Sequence, residues 1–176
     1  MKVDIESIVK FAIKGVENFL QENPTLTYYA FAFDCNAEYA EINLCLNTEE
    51  AFAETVAYYQ NGKYRERYQT EEMLQEVKYN TGDWKYKCFD TYYVFSEDEL
   101  KTIFKEIYPN EVDDDYLAWE LFVNELLNSF TYSIIKFSET ETFKKINKTA
   151  DFKFYCIDHE EEIADSIKRT ELFQEK

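Results

Sequence analysis

The chain reads as an α+β domain, an antiparallel sheet of about four strands with a leading β-hairpin, packed by several α-helices. Three observations point there. Residues 25–50 (TLTYYAFAFDCNAEYAEINLCLNTEE) hold two alternating runs joined by a short polar turn, the period-two signature of paired strands. Residues 4–22, and the stretch from Asp113 to Ile134, instead repeat apolar residues every three or four positions, as amphipathic helices do. Finally, 176 residues with 15 Phe and 15 Tyr but only 3 Gly and 2 Pro suit one ordered, aromatic-packed domain rather than a disordered chain.

The first helix carries Ile5, Ile8, Val9, Ala12, Ile13, Val16, Phe19 and Leu20 on its apolar side. Asp4 can cap its start, and Asn23-Pro24 ends it. In the hairpin, a turn at Asn36–Tyr39 sets Asp34 opposite Glu41, Phe33 opposite Ile42, Phe31 opposite Leu44 and Tyr29 opposite Leu46. These six large side chains then share one face, where a one-residue slip would scatter them. Ala30, Ala32, Asn43 and Cys45 occupy the other face. Their small size invites close approach of the first helix, which is expected to cover them.

Asn47 followed by Glu50 has the spacing of a capping box, and the helix it opens points Phe52, Val56 and Tyr59 inward before Asn61-Gly62. Thr70 caps a short helix with Met73, Leu74 and Val77 inside. Alternation at Phe89, Thr91, Tyr93 and Phe95 predicts a third strand over 87–95. Ser96 and Glu99 form another capping box before Leu100, Ile103, Phe104 and Ile107. Asp113, Asp114 and Asp115 then open the longest helix, where carboxylates suit the positive end of the helix dipole. Its stripe runs Tyr116, Trp119, Val123, Leu126, Leu127, Phe130 and Ile134. Residues 138–150 read as loop or short helix, 152–157 as a fourth strand, and Ile163 and Ile167 mark a terminal helix.

The formal charge is −17, from 19 basic and 36 acidic side chains. That disfavours nucleic acid and anionic membrane, and it steers the chain toward basic proteins. The acid is uneven: residues 61–110 hold 8 basic and 10 acidic groups, including Lys63, Arg65, Arg67, Lys78, Lys85 and Lys87. No basic-then-apolar leader or membrane-length apolar run is present in the sequence, so a cytoplasmic location with no membrane association is expected. Cys35, Cys45, Cys88 and Cys156 lack CxxC spacing, and Cys35 and Cys45 face opposite ways in the hairpin. Reduced thiols are the expectation.

Reactive chemistry is hard to find. His159 is the only histidine and precedes Glu160, Glu161 and Glu162, without partners at the spacing a metal or catalytic site needs. Asp113–Asp115 are adjacent, whereas calcium loops use alternate positions and a turn glycine. Gly15, Gly62 and Gly82 are too scattered to cradle phosphate. No catalytic residue, cofactor or metal ligand is therefore assigned. In Gly82-Asp83-Trp84-Lys85-Tyr86, Trp84 reads first as the anchor of a turn in which Gly82 takes positive φ. An aromatic between opposite charges is also a contact candidate.

The strings YYAFAFD, LNTEEAF and, some thirty residues on, GDWKY resemble the bacterial domain-of-unknown-function family 4303 over roughly residues 3–100. The resemblance carries no catalytic residue. Relatives resemble proteins encoded beside toxin systems, which implies an immunity role. The expected function is thus a non-enzymatic acidic protein-binding module, concretely an immunity protein neutralising a basic toxin. Its expected partner-binding residues are Asp113, Asp114, Asp115, Glu160, Glu161, Glu162 and Trp84. The alternative is a carboxylate-dependent enzyme or a small-molecule or metal-binding protein, which calls for a deep pocket of converging acids. A third reading buries the aromatic surplus in a homodimer.

Overall fold

Residues 28–33, YYAFAF, are continuously apolar, and in the computed structural model every one of them is buried. Such a run suits a strand covered on both faces, and this strand is the centre of the fold. The structure describes residues 3–62, 65–66, 68–108, 117–159 and 161–175. Among them the elements are α1 (Ile5–Glu22), β1 (Tyr28–Asn36), β2 (Glu41–Thr48), α2 (Glu49–Asn61), α3 (Glu71–Tyr79), β3 (Tyr86–Tyr93), α4 (Glu97–Ile107), α5 (Leu117–Ser138), α6 (Glu141–Lys145), β4 (Lys148–Asp158) and α7 (Ile163–Gln174). The architecture is α+β.

The sheet order is β3-β2-β1-β4. β1 pairs antiparallel with β2, and β2 with β3, but β4 runs parallel to β1. The sheet is therefore mixed, not antiparallel throughout. Alternation along a strand reports which face a side chain takes and nothing about strand direction. The direction of β4 is set by the long helical crossover α4–α6, which returns the chain to the starting end of the sheet.

The hairpin register also differs. Asn36 stands opposite Glu41, and Phe33 opposite Leu44, two residues from the expected pairing. The turn is a 3₁₀ segment at Ala37–Tyr39 closed by Ala40 at φ 51°, so β1 extends further than expected. A two-residue shift preserves facing, and Phe31, Phe33, Ile42, Leu44 and Leu46 do share one core. Tyr29 leaves them. A bulge between Tyr28 and Ala30 re-aims it to the opposite face, and Tyr28 takes the place on the main core.

α1 covers the face with the large side chains, correcting the expectation that it covers the small ones. Ile8, Ala12, Val16 and Phe19 pack with Phe31, Phe33 and Leu44, together with Leu126, Phe130 and Ile134 of α5. Close approach comes from Gly15, where a Cβ would lie 2.6 Å from Leu44 Cδ1 and 2.9 Å from Asp90 Oδ2. Ala30, Ala32 and Cys45 instead lie under Tyr29, Tyr79, Trp84, Tyr155 and Ile157.

Most predicted caps are present. Asp4 accepts from Ser7 N, Thr70 from Met73 N, and Ser96 and Glu99 form the full capping box. The cap of α2 is Thr48, which accepts from Ala51 N at 3.1 Å, and not Asn47. In β3 the bulge opposite β2 shifts the inward phase: Tyr92 stacks on Phe11 at 5.1 Å while Tyr93 is exposed. β4 is an edge strand whose outer side is covered by α7. There Thr170 Oγ1 accepts from Cys156 N at 3.3 Å, and Arg169 Nη2 donates to Cys156 O at 2.6 Å. This coverage satisfies an edge that would otherwise invite pairing. No helix among the described residues is long and apolar enough to cross a membrane.

Candidate functional site

Parallel pairing brings the C-terminal ends of β1 and β4 to the same edge, with Cys35 beside Asp158. On the small-residue side of the sheet this end is left open. Asp34 and Asn43, an antiparallel pair, offer short polar side chains there, next to Ala32 and Cys45, which the aromatic cluster covers. A half-open cleft of about 750 Å³ results. Its floor includes Asp34 and Asn43. One wall is α3 and the 3₁₀ turn Thr81–Asp83, and the other is the β4–α7 turn.

Among the described residues, seven carboxylates line the cleft: Asp34, Glu41, Glu76, Asp83, Asp158, Glu161 and Glu162. Lys87 and His159 are also on the lining. Several acids are held in place. Asp158 accepts from Ala37 N at 2.9 Å, and Glu161 accepts from Asp158 N at 3.1 Å while pairing with Arg169. Asp83 accepts from Tyr59 and from Asn80 Nδ2, the latter at 3.0 Å. Glu41 accepts from Asn43 at 2.8 Å. The Lys87 ammonium donates to the Gly82 carbonyl.

Asp34 differs from the rest. Burial lifts its carboxyl above the ordinary range, against the pull of neighbouring Thr81 and His159. Cys88, also on the lining, has φ 49° and donates its N–H to Cys45 Sγ at 3.2 Å. Its thiol is brought down to about 7 by the hydrogen bond with Cys45, with Lys87 adding a smaller pull. Burial holds the Cys45 thiol well above the usual value. All four cysteines are free, and Cys35 and Cys156 form a second, wholly buried pair with Sγ atoms 3.6 Å apart. Cys35 and Cys45 do face opposite cores, as expected.

The residues expected to meet a partner are distributed unevenly. Asp113, Asp114, Asp115 and Glu160 lie outside the described residues. Glu161 and Glu162 are on the cleft wall. Trp84 is 2 % exposed, and its indole N–H donates to the Lys78 carbonyl at 2.8 Å. It has almost no surface to offer and acts as the anchor of the aromatic cluster. Gly82 does not take positive φ; among the described residues, Ala40 and Cys88 do. Asp34, Glu41, Glu76 and Asp83 escaped the sequence reading, although Asp34 left a trace. It is an acid on the small-residue face of an otherwise apolar strand, a place where a charge is costly without a purpose or a partner.

No curated protein and no solved structure matches the chain. A family model does match, over residues 8–173, well beyond the segment whose strings carry the resemblance, and the chain belongs to the family described as Domain of unknown function (DUF4303).

Proposed function

We propose that this chain is a non-enzymatic protein-binding module whose acidic cleft receives a basic element of another protein. One observation carries the reading: among the described residues, seven carboxylates line the cleft against one lysine, whose ammonium donates to a backbone carbonyl. A cleft lined by one sign of charge focuses the field of the whole molecule. Here that field adds to a net charge of −17. Such an arrangement speeds encounter with a basic surface and disfavours acidic competitors. A toxin with a basic active-site cleft, such as a nuclease, is a partner of this kind.

A second reading, a small-molecule or metal site using carboxylates, draws on the raised Asp34 carboxyl within the same cleft. A lysine- and arginine-rich peptide followed by fluorescence anisotropy over a salt series separates the two. Binding by charge weakens with salt. Reversing Glu76 and Glu162 to Lys is expected to weaken it roughly tenfold, two exposed charges at about 0.5–1 kcal/mol each. The same reversal at Glu6 and Glu97, which lie outside the cleft, is expected to do much less. Equal effects of the two reversals, or salt-insensitive binding, remove the cleft from the account. The product of the adjacent gene is the natural probe for repeating the comparison.

A further inference from the structure

Three adjacent strands each send one metal-ligating side chain to a single point at the inner end of the cleft. Asp34 on β1, Cys45 on β2 and Cys88 on β3 each have a ligand atom within 4.8 Å of the other two. The pairing explains why. Asp34 stands opposite Asn43 and Ala32 opposite Cys45, so Asp34 and Cys45 lie on one face as diagonal neighbours. Cys88 would miss them in a regular ladder. Between the pairs Leu44↔Asp90 and Leu46↔Tyr86, β2 advances by two residues while β3 advances by four. The two extra residues form a bulge centred on Cys88.

That bulge has a cost. A non-glycine residue at φ 49° stores on the order of 1–2 kcal/mol, and such strain persists where the surrounding structure demands it, often at functional sites. In exchange the bulge brings the Cys88 sulfur beside Cys45 and turns the Cys88 N–H onto the Cys45 sulfur at 3.2 Å. A backbone N–H donated to a ligand sulfur is the outer-shell support that metal–thiolate sites use.

We propose that Asp34, Cys45 and Cys88 form a binding site for a divalent metal ion of the zinc class. Two sulfurs and one carboxylate oxygen exclude calcium and magnesium, which take oxygen ligands, and suit a borderline ion that accepts both donor types. Asp34 and Cys88 both border the cleft, so a fourth coordination position faces it. Three protein ligands with one open position is the pattern of zinc sites that bind an exchangeable water or a partner's group. Binding exchanges the thiol protons for the metal and releases them to solvent. The ligands sit at 34, 45 and 88 with no short-range spacing, so no motif announces them. The site is independent of the basic-partner reading, and its test uses the protein alone.

The test is cobalt titration of the reduced, purified protein. One equivalent of Co²⁺ is expected to produce a sulfur-to-cobalt charge-transfer band in the near ultraviolet, which Zn²⁺ then displaces. Cys88→Ser and Asp34→Asn are each expected to lower affinity at least ~10-fold, and Cys88→Ser to reduce the band as well. Cys35→Ser, in the separate buried pair, is expected to leave both unchanged. Zinc should also protect Cys88, the exposed cysteine, from alkylation. Cys88→Ser alters an exposed residue, so circular dichroism should show a native fold and the test does not depend on the buried Cys45. A titration without a thiolate band, a band undiminished in Cys88→Ser, or alkylation unaffected by zinc overturns the site.

Discussion

The side-chain amide of Asn47 donates to the phenolic oxygen of Tyr29 at 3.0 Å, and both residues are closed to solvent. This bond joins two departures from what the sequence predicts. Tyr29 sits on the second core because the bulge turns it there, and its hydroxyl needs a partner once buried. Asn47 supplies it, leaving the cap of α2 to Thr48. The hydroxyl also donates to the Lys78 carbonyl at 2.5 Å, and Asn47 Oδ1 accepts from Lys85 N at 3.4 Å. Strand β2, helix α3 and the start of β3 are thus joined through two side chains.

Asn47→Ala is therefore expected to cost about 1–3 kcal/mol, for the two hydrogen bonds lost to the Tyr29 hydroxyl and the Lys85 N–H. Glu50→Ala, which would matter if Asn47 and Glu50 formed a capping box, should stay within about 0.5 kcal/mol. Urea unfolding of both variants decides between a strand-end bridge and a helix cap. A larger loss in Glu50→Ala would contradict the structure.

Trp84 is expected to behave as core. Trp84→Ala should cost about 3–5 kcal/mol, because its ring packs edge-on against Tyr29 and Tyr155 with centroids 6.0 and 6.2 Å away. Trp84→Phe should leave only the half-buried Trp119 emitting, so the native fluorescence maximum moves to longer wavelength. An unshifted maximum would place Trp84 in solvent.

Arg169 ties α7 to two elements at once. Its Nε donates to Thr131 Oγ1 at 3.0 Å and its Nη2 to the Cys156 carbonyl, while Nη1 pairs with Glu161 on the cleft wall. Arg169→Ala is expected to cost about 3 kcal/mol through the orphaned acceptors and carboxylate. Arg169→Lys should recover little, since a single ammonium cannot satisfy three acceptors held in a planar fork. Hydrogen exchange should report the loss first in α7 and the end of β4.

Alkaline pH should weaken the fold through Tyr28. Its hydroxyl is buried without a hydrogen-bond partner among the described residues. Burial, with a smaller contribution from Tyr86, raises its ionisation from 10.0 to about 12. A raised folded value means the fold favours the neutral phenol. Its contribution is complete below pH 10 and is lost as pH climbs toward 12. Tyr28→Phe removes both the unpartnered hydroxyl and the titration. It should stabilise the protein by about 1 kcal/mol at neutral pH and flatten the alkaline loss in thermal melts.

What the sequence determined by itself is local. Periodicity placed α1, the hairpin and the α5 stripe; cap chemistry placed the starts of α1, α3 and α4; and two-residue parity kept five of six hairpin side chains on one face despite a different register. Those features depend on neighbours a few positions apart, which the chain carries in order. The direction of β4, the exchange of Tyr28 for Tyr29 at a bulge, and the convergence of Asp34, Cys45 and Cys88 depend on residues tens of positions apart. Only the long crossover, the bulges and the packing of α7 along the sheet edge bring them together, so only the folded structure could decide them.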